Sequence, residues 1–249
     1  MIDTILNHRS IRKYKPDPIP PDLLKEILQA GIRASTTGNM QVYSIIVTTD
    51  AAAKEKLYEA HFKQEMVKEA PVILTFCADF NRFNLWCEAH NAIPGYDNFL
   101  SFMTAAIDAL LVAQNVALAA EEKGLGICYL GTATYNADKI IQILNLPKAV
   151  VPVAAFPMGY PDENPELCDR LPLEAVVHYE QYSEFSPGDL KILYGDKEKM
   201  PFYQELLKIN NKETLAQIFT DIRYTRKDNV TFSQSLLNVL KEQGFMNNE

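Results

Sequence analysis

Four short stretches concentrate side chains that can do chemistry. The run His8-Arg9-Ser10-Ile11-Arg12 offers two guanidinium groups, an imidazole and a hydroxyl within five residues. Arginine forks match phosphate and polarised carbonyl oxygens, and a serine hydroxyl adds a donor. A solvated basic patch has the same composition. The stretch RASTTGNMQ, Arg33 to Gln41, carries small hydroxylated residues that either donate to a closely approaching ligand or turn the chain. In GLGICYLGT, Gly124 to Thr132, the G-x-G lacks the third glycine of the dinucleotide fingerprint. It also leaves a helix and enters a strand, the reverse of that fingerprint's order, so a Rossmann site is excluded. A tight strand-end loop with exposed backbone groups remains. Last, Arg170 stands in the irregular stretch that follows Gly159-Tyr160-Pro161 and ends Cys168-Asp169-Arg170-Leu171-Pro172. It either clamps an anion or pairs with Asp162, Glu163 or Asp169. No Ser-His-Asp triad or carboxylate pair is evident.

These stretches need elements to place them. A short helix from about Asp3 to Asn7 leads into the basic run, and a proline-rich KPDPIPPD opens a helix from about Asp22 to Ile32, with Leu23, Leu24, Ile27, Leu28 and Ile32 as its apolar stripe. The turn Ser35 to Asn39 precedes a β-branched strand, Tyr43 to Thr48, and a charged helix from about Ala51 to His61. Pro71 to Ala78 reads as a buried strand, and Asn98 to Lys123 as a helix apolar nearly all round, suited to a core or a subunit interface. Gly124 to Gly126 ends that helix, Ile127 to Leu130 is a short strand, and Asn136 caps a helix over Ala137 to Leu144. Val150 to Met158 is a further buried strand. After about Glu180 the core pattern stops, and polar helical segments follow at Leu190 to Tyr194, Tyr203 to Ile209, Leu215 to Ile222 and Phe232 to Phe245. Alternating strands and helices imply a mixed α/β sandwich. A tail too polar for a second core should wrap something, and a neighbouring subunit is the natural candidate.

Composition narrows the partners. The 249 residues hold 24 Lys and Arg against 32 Asp and Glu, a net charge of −8. That balance argues against a general nucleic-acid or anionic-membrane binder, which needs a basic face. An anionic small molecule would need locally placed cations. The cysteines, Cys77, Cys87, Cys128 and Cys168, form no C-x-x-C pair and have no zinc spacing with the four histidines, so free thiols are expected and no metal site is read. The N-terminal stretch is too charged for a signal peptide. The most apolar stretch, Phe102 to Ala120, is interrupted by Asp108, Gln114 and Asn115 and reads as a buried helix. A cytoplasmic protein with reduced cysteines is expected.

Taken in order and spacing, the four elements resemble the FMN-dependent nitroreductase family, and within it the larger NADPH-preferring branch of oxygen-insensitive nitroreductases and flavin reductase P. The likeness covers about residues 1 to 180 and adds FCADFNR at Phe76 to Arg82, AQN-x-x-L-A-A-E at Ala113 to Glu121, and N-P-x-L-x-x-R-L-P at Asn164 to Pro172. It implies one α+β domain, core about 1–180, built as a three-layer sandwich. A central mixed sheet is flanked by helices, and a helical C-terminal extension wraps the dimer partner. It further implies a homodimer with two FMN molecules at the subunit interface. His8 and Ser10 would contact the phosphate and ribityl end, with Arg9 alongside and Arg12 at the flavin N1 and O2 edge. Ser35, Thr36 and Thr37 would come from the partner chain. Gln64 would meet the ring or ribityl chain, Tyr129, Leu130 and Gly131 would lie along the ring with backbone donors near it, and Arg170 would grip the phosphate. Arg226, in the tail, would hold the 2′-phosphate of NADPH.

The implied activity is ping-pong: hydride from NADPH or NADH to FMN, then electrons to a nitroaromatic, a quinone or free flavin. FMN carries the electrons, and a fixed cation at Arg12 steadies the charge that collects over N1 and O2. Reductive dehalogenation, flavin cleavage and a non-catalytic flavin-binding role are the alternatives on the same scaffold. One departure stands out: the branch usually has Lys two residues before the phosphate-gripping arginine, and this chain has Cys168. Either FMN binds less tightly or a neighbour such as Arg9 compensates.

Overall fold

The computed structural model describes residues 2–247. Two compact units emerge, one of Met1–Glu166 with Phe232–Glu249 and one of Leu167–Thr231.

The first unit is built on a four-stranded sheet. Helix α1 (Ile2–Leu6) precedes the basic run, and α2 (Pro21–Gly31) starts on Pro21, whose fixed φ suits a first helical turn. A single 3₁₀ turn, Thr37–Asn39, leads to β1 (Tyr43–Thr48). Asp50 caps α3 (Ala51–Ala60) by accepting from the Ala53 amide at 2.7 Å. A one-turn α4 (Met66–Glu69) precedes β2 (Val72–Asp79), then α5 (Asn81–Ala89) and the long α6 (Phe99–Glu122), capped by Asn98. The chain continues through β3 (Gly126–Ile127), α7 (Thr132–Tyr135), α8 (Ala137–Leu144) and β4 (Val150–Gly159).

Strand order is β1-β2-β4-β3. The sheet was expected to be mixed; its ladders are antiparallel, and the parallel pairing is confined to an isolated bridge from Ser10 to Ile127. Every residue of β2 is buried and β4 nearly so, which explains their unbroken apolar runs. Pro152 lies within β4 despite lacking an amide, and the register slips beside its partner Cys77. Helix α6 buries Ala105, Ala109, Val112, Ala113, Val116 and Ala120. Its other face leaves Leu100, Met103, Ile107, Leu110 and Leu111 exposed. By length and composition α6 is apolar enough to cross a membrane, and half of that window is buried inside the protein.

Three readings need correction. The strand placed at Ile127 to Leu130 ends at Ile127, because the chain there leaves the ladder for α7 and only the Leu130 amide returns to β4, donating to Ala155 O at 2.8 Å. Asn136 does not cap α8: its amide donates instead to Ala60 O at 2.7 Å, tying α8 to the end of α3. The core does not stop near Glu180, since Val239, Leu240 and Phe245 pack with Val42, Phe80 and Phe102. Helices α4, α5 and α7 went unread, two of them being single turns too short to show a period.

The second unit starts in irregular chain with a 3₁₀ turn at Leu173–Ala175, followed by α9 (Pro187–Lys199), α10 (Pro201–Asn210), α11 (Leu215–Gln217) and a π turn, Ile218–Arg223. Ser186 with Asp189, and Thr214 with Gln217, form capping boxes. Its buried apolar residues are Leu215 and Ile218. Helix α12 (Arg226–Gln243) begins in this unit, and from Phe232 it belongs to the first.

Candidate functional site

The basic run lies along β3. Ile11 N donates to Ile127 O at 2.9 Å, and Ile11 packs on Gly126 so closely that a Cβ there would sit 2.5 Å from Ile11 Cγ1. The Tyr14 hydroxyl donates to Ile11 O at 2.5 Å, and burial holds its pKa far above the usual phenol value. Thus the apolar residue in the middle anchors the run on β3.

Carboxylates distant in sequence secure the rest. His8 Nδ1 lies 2.6 Å from Oε1 of Glu121, the last residue of the AQN-x-x-L-A-A-E stretch. Burial raises the Glu121 pKa, and the His8 contact partly offsets that. Glu163 Oε1 accepts from the Arg12 and Lys13 amides at 2.5 and 3.1 Å. The Arg12 side chain is exposed, and among the described residues its guanidinium donates only to Ser10 O, at 3.4 Å. Arg9 donates to Asn7 O at 3.3 Å, while its Nε is buried without a partner among those residues. A cleft of about 440 Å³, lined in part by Asn7, Arg9, Ile11, Glu121 and Glu163, opens beside these groups.

The strand-end loop sits next to the run. Tyr129 meets Phe156 edge-on at 5.2 Å, and burial raises its hydroxyl pKa. Leu130 is buried and its amide is spent on Ala155, so it is not a donor to a ligand; Gly131 is exposed at the start of α7. Cys128 is buried with its thiol pKa raised, an effect that Arg12 and a bond with Ser10 oppose.

Gln64 lies in a turn after α3, half-buried, with Nε2 donating to His61 O at 3.0 Å. His61 is fully buried, and its Nδ1 lies 2.7 Å from Thr132 Oγ1. Burial pushes its pKa from 6.5 down to about 4. A histidine whose folded pKa is depressed supplies stability that is complete above pH 6.5 and is lost as pH falls toward 4. That loss amounts to about 3 kcal/mol in all. Denaturant melts at pH 7 and pH 4.5 should show it, and His61→Asn should flatten the slope; a parental slope in His61→Asn would place the acid sensitivity elsewhere.

The Ser35 to Thr37 turn is anchored apart from these segments. Thr37 N donates to Oδ1 of buried Asp108 on α6 at 2.9 Å, and among the described residues no hydrogen bond joins the turn to the other three segments. Ser35 and Thr37 are exposed and Thr36 is half-buried.

In the second unit, Arg170 is exposed and donates to Cys168 O and Asp169 O at 3.3 and 2.9 Å. The carboxylate beside it is engaged elsewhere: Asp169 meets Lys197 Nζ at 2.7 Å and the Tyr203 hydroxyl at 2.8 Å. Those contacts lower the Asp169 pKa against the opposing effect of burial. Arg226 is exposed at the start of α12.

Sequence reading missed Glu121, Glu163, Asp108, His61 and Thr132. Glu121 closes the AQN-x-x-L-A-A-E stretch, and Asp108 interrupts the apolar run Phe102 to Ala120; a lone carboxyl in such a helix is the available signal.

The Nitroreductase family model matches residues 5–160. A curated NADPH-flavin oxidoreductase from Vibrio harveyi is 37% identical over 193 residues, covering 76% of this chain and 78% of that protein. A crystal structure from Bacteroides fragilis superposes with a TM-score of 0.97 at 54% identity, covering 98% of this chain and 100% of that one. The structure of NADPH:FMN oxidoreductase from Vibrio harveyi complexed with NAD+ superposes with a TM-score of 0.80 at 30% identity, covering 99% of each chain.

Proposed function

The chain belongs to the nitroreductase family, and from that premise we propose that it is an FMN-dependent NAD(P)H oxidoreductase. The observation that carries this reading is the donor set around the basic run. Among the described residues, an exposed Arg12 guanidinium without a carboxylate partner, a buried Arg9 Nε with no acceptor, and a fixed His8 suit a ligand with a phosphate and a polarisable ring. The residues present therefore fit FMN. When bound, FMN accepts hydride from NAD(P)H and passes electrons to the acceptor.

The chain's own residues bind and orient. His8, held by Glu121, and Ser10, with Arg9 beside them, serve the phosphate and ribityl end. Arg12 supplies the cation for the N1 and O2 edge; Glu163 fixes its backbone and leaves the guanidinium available. Tyr129 and Gly131 line the ring, and Gln64 contacts it from the turn after α3. Arg170 is a phosphate contact on the family likeness alone. Cys168 stands two residues before it, where the branch usually has Lys, and Arg9 supplies the compensating charge. Arg226 meets the nicotinamide nucleotide.

A homodimer completes the site. Its support is the exposed stripe on α6 and the placement of the Ser35 to Thr37 turn on the same helix, through Asp108. Residues 181–231 would extend over the partner. Acceptors are small aromatic electron acceptors: nitroaromatics, quinones or free flavin. Four free cysteines suit the cytoplasm.

Anaerobic stopped-flow mixing of the FMN-loaded protein with NADPH and NADH in parallel tests the activity: the yellow flavin should bleach, and the rates should rank the donors. A chain that gains no flavin absorbance would sink the reading, and a yellow protein that neither nucleotide bleaches would make it a non-catalytic flavin binder. Sedimentation of the same sample should give twice the chain mass; an FMN-loaded monomer would overturn the shared site.

A further inference from the structure

The turn that carries Gln64 is strained. Phe62 and Lys63 both lie in the left-handed region, at φ 56° and 55°, where side chains other than glycine are disfavoured. Two such residues in succession persist only where the surroundings over-determine them. Here four contacts do so. Asn136 Nδ2 donates to Ala60 O at 2.7 Å, and Lys63 N donates to Tyr58 O at 2.9 Å. Phe232 stacks on Tyr135 at 4.4 Å and lies 6.0 Å from Phe62.

The remaining contact is the buried imidazole. His61 has no exposed surface, and among the described residues its Nε2 has no partner and the bond between Nδ1 and Thr132 Oγ1 is the ring's one polar contact. Thr132 directly follows Gly131. That bond therefore joins the Gln64 turn to the strand-end loop, 71 residues apart in sequence. His61 also supplies the carbonyl that accepts from Gln64 Nε2, which sets the sense of the amide and turns Oε1 away from it.

We propose that His61 is a positioning residue: through Thr132 and its own carbonyl it locks the Gln64 amide and the Tyr129–Gly131 loop in one arrangement at the flavin edge. The proposal rests on the reading of Gln64 as a flavin contact. A group misplaced by about 1 Å can cost on the order of a hundredfold in rate, so the lock has kinetic consequences without touching the reacting atoms.

Five variants of the FMN-loaded protein test it: His61→Leu, His61→Asn, Thr132→Val, the His61→Leu/Thr132→Val double and Gln64→Ala. Each is measured for FMN dissociation constant, midpoint potential of the bound flavin, and the rate and apparent KM of anaerobic reduction by NADPH. His61→Leu and Thr132→Val should each slow reduction by about tenfold, shift the midpoint potential and leave KM close to the parent value. Combined, they should cost no more than either alone, because they remove the same bond. His61→Asn, which keeps a polar atom near the Nδ1 position, should recover most of the rate. Thr132→Val leaves the imidazole in place, so a His61→Leu protein that does not fold leaves the test standing. If Gln64→Ala shifts potential and rate while Thr132→Val and folded His61→Leu match the parent, the positioning role fails alone. If Gln64→Ala changes neither affinity, potential nor rate, the flavin-contact reading fails and takes this proposal with it.

Discussion

Gly126→Ala should lower both stability and FMN affinity, although it adds a single methyl. The new Cβ would lie 2.5, 2.7 and 3.0 Å from Cγ1, Cβ and Cγ2 of Ile11. Ile11 cannot retreat cheaply. It is branched at Cβ, buried, and bonded through its amide to Ile127 O at 2.9 Å. The run must therefore lift away from β3, and Ser10 and Arg12 move with it. Overpacking of this kind costs about 1–3 kcal/mol, or roughly 2–4 °C in Tm per kcal/mol for a chain of this size. FMN affinity should fall further than stability alone requires, because two ligand-facing residues are displaced. Gly195→Ala is the control. Its Cβ meets nothing within 4 Å inside α9, so the same substitution there should raise stability. Thermal melts and FMN titrations of both variants decide it. A Gly126→Ala protein that melts and binds like the parent would show that Ile11 yields without moving its neighbours.

Arg12→Ala should separate binding from folding. The guanidinium has no carboxylate partner among the described residues, and its one hydrogen bond, to Ser10 O at 3.4 Å, is long. Its backbone is held independently, by Glu163 at 2.5 Å. Truncation should thus leave the melting temperature of the FMN-free chain nearly unchanged. Losing one charge-assisted contact to the cofactor costs about 1.5–3 kcal/mol, which is about a tenfold to hundredfold rise in the FMN dissociation constant. Flavin reduction should also slow, since the cation acts where charge develops. Arg12→Lys should recover the affinity only in part, because a point charge replaces a planar fork. Unchanged affinity and reduction rate in Arg12→Ala would show that the N1 and O2 assignment is wrong.

Much of this architecture was legible before any coordinates. The strand Tyr43–Thr48 and the helix Ala137–Leu144 were read to the residue, and α2, α3, α6, β2 and β4 to within one or two. These elements carry their signal locally, as a 3.6-residue stripe, a β-branched run or a capping residue, and local signals survive without tertiary context. The four motifs were legible only together: each alone also fits a solvated patch, a turn or a local ion pair, and their order and spacing carry the likeness.

Residue type and periodicity alone thus fix the longer helices and strands and the position of the basic run, and the motifs together add a family likeness that the comparisons bear out. Tertiary structure decided the supports. Glu121 reaches the His8 ring across 113 residues and Glu163 reaches the Arg12 backbone amide across 151, and no local pattern encodes which carboxylate meets which of these groups. It decided that Leu130 spends its amide on β4, that Asn136 serves α3 rather than α8, and that the last helix returns to bury Val239, Leu240 and Phe245. Each of these is a pairing between distant segments. Its partner exists only once the chain has closed on itself, which is why periodicity and residue type could propose the cations at this site but not what holds them.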